Sequence, residues 1–586
     1  RFRGTSYENV ALYISLSAFQ SIALTKFQQW RSGTEGVGSV SLLYFALFFL
    51  AQCAILNIYG AFIYPRFVSP LRRIPGPAVS KPQSSSGACF TLTCYVIQDG
   101  QFFFGQAIKL FKAPTPTSLY TEWSKQHPES PLIRYLTVGG GEVVVVNSPD
   151  AFKDIMQTQC YSFKKPDRLR HMVKEFTGKG IGMLEFDEHK AHRKMLNAAF
   201  TPENQKASEF GSLLDRAIDV AIAGGDGNGV ASGIIDCTET FNKATMDVIC
   251  MALFGIDSDN IGGDENIVSP CVTGKKQYSF RDAYQAIFAM STIESVLMLA
   301  DSFVPLRWLP CEANRKFKTT TNWLNVTLHQ IIQERRNTML SAKSTGSHEH
   351  SRDILAHLIE QSLPGGTAEG MTDEYMVGHL LFLLLAGHDT SSNSLSWSVY
   401  TLATQPDIQE RLRREVRELS FNRIASSPPS FAEIDALPYL HNVVREVLRV
   451  YPPATVMFRQ AVNDVTVQGF RLPKGTAIDL VPASGHLGED ADEVRPERWD
   501  AWEPSPTGGG EKKQRQTAAP SPYAYEVFGN GPRVCLGKQF ALMEIKMFLF
   551  AMASRYRFVG VEGEFTVANP SFVLRPAMMR VRFEKL

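Results

Sequence analysis

Between Gly36 and Pro65 the chain carries no charged residue, and the centre of that run, SLLYFALFFLAQCAILNIYGAFIY from Ser41 to Tyr64, is apolar on every helical face. A bilayer-crossing helix needs about 20 such residues in a row, so residues 36–65 are assigned as a transmembrane anchor. Arg66, Arg72 and Arg73 follow at once. Lys and Arg gather on the cytoplasmic flank of membrane helices, which predicts a cytoplasmic body downstream. The earlier stretch Asn9–Thr25 is shorter and dotted with Ser and Gln. It fits a second crossing and an interfacial helix equally, and residues 1–35 are kept apart as a segment of open assignment. Pro65, Pro70, Pro75 and Pro77 predict that the helix stops and that residues 66–77 form a stiff hinge holding the anchor off the body.

The body then occupies residues 78–586. Within it Lys81–Phe103 has neither helical nor strand periodicity and reads as an insertion. The β-rich run Val143–Val146 leads through a turn into a helix beginning near Ser148. From about Pro202 to Pro406 most segments have helical spacing. Strand-like runs return in VTVQGFRLPKGT and near the C-terminal FEKL. Polar low-complexity loops are expected at Ser341–Ser351 and Ser505–Pro522. The expected fold is therefore mainly α with small β-sheets, preceded by a transmembrane helix.

Composition narrows the function classes. Hydrophobic residues make up 44% and charged residues 20% of 586, which excludes a disordered, collagen-like or disulfide-dense chain. Sixty Lys and Arg against fifty-nine Asp and Glu leave a net charge of +1, which predicts no nucleic-acid partner. The nine cysteines are odd in number and form no CxxC pair, so neither a disulfide framework nor a structural zinc site is expected.

One of them stands in a distinctive context. Phe528-Gly-Asn-Gly531-Pro-Arg533-Val-Cys535-Leu-Gly537 is a glycine-rich loop running directly into KQFALMEIKMFLFAMA, a strong helical pattern. Backbone N–H groups and the positive helix end are expected to lower the Cys535 thiol pKa, making it a thiolate ligand or a nucleophile. By composition F-x-x-G-x-R-x-C-x-G arises by chance on the order of once in several thousand such chains, so a merely structural cysteine is the weaker reading. At these residues the chain resembles a membrane-bound cytochrome P450 of the microsomal kind found in fungi.

The resemblance implies that Cys535 is the axial thiolate of a haem b iron, with Phe528 packed beside the ligand loop, Gly537 allowing its path and Arg533 on a haem propionate. It extends to Ala386-Gly387-His388-Asp389-Thr390-Ser391 in the apolar helix Met376–Trp397. There a small Gly387 would leave room over the iron, and Asp389 and Thr390 would pass protons toward bound dioxygen. The bland alternative for Thr390 is a hydroxyl bonded back to a helix carbonyl; His388 reads as a satisfied polar side chain. Glu446-Val-Leu-Arg449, followed by Tyr451-Pro-Pro and later by Pro496-Glu-Arg498-Trp, is similar to the family's structural triad Glu446, Arg449 and Arg498. Glu410 and Arg413 show the same spacing without that sequel. Arg193 matches a propionate-binding arginine, and His189 stands where tryptophan is usual; Arg459 matches a basic residue often aimed at haem.

By the same resemblance the protein is a monooxygenase of hydrophobic small molecules, possible roles lying in secondary metabolism. It would work in the endoplasmic reticulum membrane, with electrons from NADPH–cytochrome P450 reductase and cytochrome b5 as a further partner. Lys190, Arg193, Lys194, Lys538 and Lys546 would form a basic patch steering the acidic reductase. Rival classes are a haem-thiolate isomerase or dehydratase working without reductase, which needs no Asp389–Thr390 pair, and a non-catalytic haem-binding protein. The implied pocket stretches are Phe163–Met183, Phe210–Ile222, Phe382–Thr390 and Ala454–Phe458.

Overall fold

The computed structural model describes residues 17–26, 38–77, 104–200, 216, 219, 233–256, 283, 294, 297, 306–345, 353–421, 429–481, 490–500, 522–569 and 571–586. The insertion assigned to Lys81–Phe103, nearly all of the stretch Phe210–Ile222 and most of the loop Ser505–Pro522 lie outside them. Contacts divide the chain into two compact units. The first holds residues 1–113, 117–164 and 458–481, and the second holds 114–116, 165–457 and 482–586.

In the first unit the apolar run forms α1 (Gly38–Ile58), which continues as a widened π-type helix over Tyr59–Val68. The segment Tyr44–Val68 is long and apolar enough to cross a membrane. The helix thus passes through Pro65, where a stop was expected. The π-type turn carries on past it, the Ser69 N–H reaching back five residues to the Tyr64 carbonyl at 2.8 Å, and Arg66 Nη1 donates at 3.1 Å to the Ala61 carbonyl, four residues before the proline that lacks an N–H. Residues 17–26 are helical. Gln52, in the middle of the apolar run, donates its amide to the Gln20 carbonyl oxygen and accepts from the Ser17 hydroxyl at 3.3 Å.

The proline-rich segment is held by hydrogen bonds within the first unit. Ser69 Oγ donates to buried Glu142 at 2.6 Å, Arg134 Nη2 to the Pro65 carbonyl at 2.6 Å, and the Arg134 N–H to the Pro75 carbonyl at 2.7 Å. Helices α2 (Ala107–Lys112) and α3 (Ser118–Gln126) precede a five-stranded sheet of order β1-β2-β8-β5-β3. Its strands are β1 (Leu132–Leu136), β2 (Glu142–Val146), β3 (Phe163–Lys164), β5 (Met457–Ala461) and β8 (Ala477–Leu480). After β2, Ser148 Oγ caps α4 (Pro149–Lys153) by accepting the Ala151 N–H at 3.1 Å. The hairpin β6 (Val465–Val467) to β7 (Phe470–Leu472) turns at Gln468-Gly469, both with positive φ, as a two-residue hairpin loop requires. On β8 the buried Asp479 accepts from Tyr120 Oη at 3.0 Å and Tyr135 Oη at 2.6 Å. Burial raises its carboxyl to about 6 against the opposing pull of those two hydroxyls.

The second unit is a helical layer with small sheets. Its helices are α5 (Asp167–Thr177), α6 (Phe186–Ala199), α7 (Cys237–Phe254), α8 (Glu312–Thr345), α9 (Ile354–Ser362), α10 (Asp373–Thr404), α11 (Pro406–Phe421), α12 (Phe431–Asp435), α13 (Pro438–Val450) and α14 (Lys538–Arg555). Helix α8 runs into the stretch read as a loop from Ser341. Three strands, β4 (Ile234–Asp236), β12 (Arg580–Lys585) and β9 (Tyr556–Val561), and the pair β10 (Thr566–Val567) and β11 (Pro576–Ala577) complete it.

Helix α10 is the spine. One hydrophobic core gathers its Leu380, Leu384 and Leu395 with Phe241 and Ile249 of α7 and Phe548 of α14. The run SSNSLSWS would be costly in such a core if left unpaired. The helix itself satisfies most of it: Ser394, Ser396 and Ser398, with Thr401 beyond them, each donate to the carbonyl four residues back, at 2.7–2.9 Å, while the buried Ser391 hydroxyl makes no such bond. Crossing α7 adds Thr245 Oγ1 donating to the His388 carbonyl at 3.1 Å.

Candidate functional site

The Cys535 loop closes on itself before α14 begins. Gly529 and Gly531 take φ of 64° and 67°, conformations with little cost only for glycine. The Cys535 N–H donates to the Phe528 carbonyl at 2.8 Å. Phe528 packs against the core, with Lys538 Nζ 5.8 Å from its ring centroid. Gly537 is the N-cap of α14. Cys535 keeps accessible surface although protein surrounds its thiol. Its pKa corrects the sequence expectation: burial raises it, outweighing the Gly537 N–H, Arg193 and Lys538, which act downward. Coordination to a metal ion removes such a proton outright.

Beside it the N-terminus of α6 assembles a cationic cluster. His189 is buried, and its pKa is lowered to about 4 by burial first and then by Lys165, Arg533 and Arg193. Arg193, half-buried one turn later, is coupled to Cys535 by charge. The Arg533 side chain is 4% exposed and forms an ion pair with Glu185. None of its three guanidinium nitrogens makes a well-directed hydrogen bond, and His189 Nδ1 has no partner. Buried guanidinium donors without acceptors are expensive, and planar carboxylates are what they match. These residues therefore fit a haem: Cys535 for the iron, Arg193, Arg533 and His189 for the propionates. Arg459 stands on β5 in the first unit, buried, with Nη1 on the Phe458 carbonyl at 2.8 Å.

On α10, Ala386 is exposed and Asp389 and Thr390 are half-exposed, while His388 and Ser391 are buried. The Thr390 hydroxyl donates back to the Ala386 carbonyl at 2.8 Å, and Asn393 Nδ2 and Ser392 Oγ donate to the Asp389 carbonyl at 2.6 and 3.1 Å. Gly387 also lies against a neighbouring helix. A Cβ there would come within 2.6 Å of Ile249 Cδ1 on α7, so its smallness serves helix packing. His388 bonds its Nδ1 to the Leu384 carbonyl at 3.1 Å.

Glu446, Arg449 and Arg498 are brought together. The buried Glu446 carboxylate accepts from Arg449 Nε and Nη2 at 2.9 and 2.8 Å, Arg498 Nε at 3.2 Å, the Arg495 N–H at 3.0 Å and Trp499 Nε1 at 2.9 Å. Arg413 and Glu410 meet at 3.3 Å, with the Glu410 side chain 55% exposed. The basic patch needs revision. Lys546 is buried, its Nζ on Asp435 at 2.6 Å and His441 at 2.7 Å, whereas Lys190 and Lys194 are exposed, the former paired with Asp187.

A further cross-link was illegible in the sequence. His379 of α10 accepts the Ile181 N–H on Nδ1 at 3.0 Å and contacts His192 Nδ1 of α6 through Nε2 at 2.9 Å. A backbone amide only donates, so His379 carries its proton on Nε2. Nothing local predicts this, since the three residues lie on separate segments. Gly180 and Gly182 flank the same contact, and a Cβ at Gly182 would overlap the Phe382 ring. His379→Leu, which leaves the Ile181 amide buried without an acceptor, is expected to cost about 1–3 kcal/mol, with partial recovery in His379→Asn. The His379 pKa falls from 6.5 to about 3, by burial and then by His192. Because the folded pKa is the lower one, this stabilisation is complete above about 6.5 and is lost as pH falls toward about 3. Unfolding midpoints measured across that window should flatten in His379→Leu.

The cytochrome P450 family profile matches residues 99–583. The chain is 28% identical to cytochrome P450 monooxygenase FUM15 of Gibberella moniliformis, over 94% of this chain and 93% of the relative. It is also 28% identical to cytochrome P450 monooxygenase sphH of Aspergillus fumigatus, over 86% and 85%, and 26% identical to cytochrome P450 monooxygenase 128 of Postia placenta, over 90% and 93%. With a match across most of its length, the chain belongs to the cytochrome P450 family of haem-binding monooxygenases.

Proposed function

We propose that the protein is a membrane-anchored monooxygenase of the endoplasmic reticulum, its body cytoplasmic. It takes electrons from NADPH–cytochrome P450 reductase, with cytochrome b5 as an accessory donor, and oxidises a hydrophobic small molecule of secondary metabolism. The observation that carries this reading is the accessible Cys535 thiol on the loop that also bears the buried, acceptor-poor guanidinium of Arg533. The names of the fungal relatives support the reaction class; the uncharged stretch Ala454–Phe458 and the apolar helix Tyr44–Val68 support a lipophilic substrate.

Haem b, when bound, supplies the dioxygen chemistry. Cys535 would hold the iron as a thiolate, and Arg193, Arg533 and His189 would bind the propionates. Thr390 holds a proton at Oγ1, directed by the Ala386 carbonyl on the accessible face of α10. Asp389, next in the chain and half-exposed, exchanges protons with water and replenishes that position. Phe382 and its apolar neighbours on α10 keep water from the substrate.

Vesicles carrying this protein and the reductase, supplied with terpenoids, polyketides, fatty acids or aromatic compounds, test the reading. Substrate-dependent NADPH consumption and an oxygenated product are expected. Peroxide rearrangement without reductase would favour the isomerase class, and haem binding without turnover of any compound would favour a non-catalytic protein.

A further inference from the structure

The cationic cluster contains an acid that no motif assigns. Glu185 is 5% exposed and lies immediately before α6. Its Oε1 accepts the Lys165 N–H at 2.8 Å and sits 3.4 Å from Lys165 Nζ, while its Oε2 meets Arg533 Nη1. Its carbonyl accepts the His189 N–H at 3.2 Å. One carboxylate thus ties three parts of the pocket together: the chain at Lys165, the start of α6 with His189 and Arg193, and the cysteine loop at Arg533.

Two further features point the same way. Glu185 engages Arg533 on the Nη1 edge, leaving Nε and Nη2 buried and without acceptors. A guanidinium held by one edge presents the other for a bidentate carboxylate. Next in the chain, Phe186 has φ of 52°, a left-handed conformation that an aromatic residue adopts only when its surroundings impose it. That turn starts α6 with Glu185 aimed inward and Phe186 itself 38% exposed. The strain sits where the acid must be directed. Charge completes the argument. Lys165, Arg193 and Arg533 bring three positive charges and His189 is neutral, whereas a haem brings two propionates, so Glu185 supplies the third negative charge.

We propose that Glu185 is a positioning residue of the haem pocket, holding Arg533 by one edge of its guanidinium so that the other edge meets a propionate. This rests on the reading of Arg533 as a propionate ligand. The test compares haem loss to excess apomyoglobin from the full-length holoprotein, together with the reduced carbon monoxide spectrum, in wild type, Glu185→Gln, Glu185→Asp, Arg533→Gln and Glu185→Gln/Arg533→Gln. Glu185→Gln is expected to speed haem loss about 10-fold or more, the scale of losing a partner that orients a ligand. Glu185→Asp should restore part of the retention, which excludes simple misfolding. The double variant should lose haem no faster than Arg533→Gln alone, because Glu185 acts through Arg533. Additive effects, or wild-type retention in Glu185→Gln with fast loss in Arg533→Gln, overturn the proposal and leave the Arg533 reading intact. Unchanged retention in both single variants overturns the Arg533 reading as well.

Discussion

Glu446→Gln is expected to destabilise the second unit by about 3–5 kcal/mol, the cost of removing one partner from a buried ion pair. Because a folded domain is stable by only about 5–15 kcal/mol, little folded, haem-loaded protein should accumulate. The carboxylate accepts five hydrogen bonds from Arg449, Arg498, Arg495 and Trp499, with side-chain exposures of 0% for Glu446, 4% for Arg449 and 7% for Arg498. An amide accepts through one atom and turns its NH2 toward guanidinium donors, so at least one arginine is stranded. Arg449 also donates to the Ala491 and Glu493 carbonyls, and Arg498 to Asp490, so the damage spreads to residues 490–499. Glu410→Gln is the control. It has the same i,i+3 spacing, but its acid is in solvent, and a loss of at most about 1 kcal/mol is expected. Equal losses in the two variants, measured by thermal unfolding and haem content, would refute the assignment of the structural pair.

Cys535→Ala is expected to give a folded protein whose reduced carbon monoxide complex lacks the red-shifted Soret band and whose oxygenation falls to background. Cys535 lies outside the hydrophobic core and keeps accessible surface, so truncation leaves no packing defect. Ligation is another matter: burial keeps the free thiol protonated, with the Gly537 N–H, Arg193 and Lys538 offsetting part of that cost, and the iron itself must displace the proton. Cys250→Ala supplies the contrast. Cys250 is fully buried in α7, so its loss should lower stability through packing while leaving the spectrum unchanged. A red-shifted band in Cys535→Ala would mean that another residue holds the iron.

The sequence by itself determined those features whose physics is local. A charge-free run long enough to span a bilayer, the β-branched run of β2, the helical spacing of α10 and α14, and the glycine-punctuated loop around Cys535 each follow from neighbours a few residues apart. The chain order of the Glu446 and Arg498 segments added long-range evidence because their sequel is itself a short local pattern. Tertiary packing decided the rest. Lys546 and Lys190 are indistinguishable as letters, yet one is buried on Asp435 and the other lies in solvent. Gly387 is small because Ile249 of a different helix presses on it. The helix ran through Pro65, with the Arg66 side chain on the Ala61 carbonyl that the missing N–H leaves free. Glu185 looked like any acid at a helix start, and His379 like any polar residue in an apolar helix, until Arg533 and Ile181 were brought against them from distant segments. Burial, ion pairing and tautomer belong to pairs of surfaces, and no single stretch of chain contains both members of such a pair.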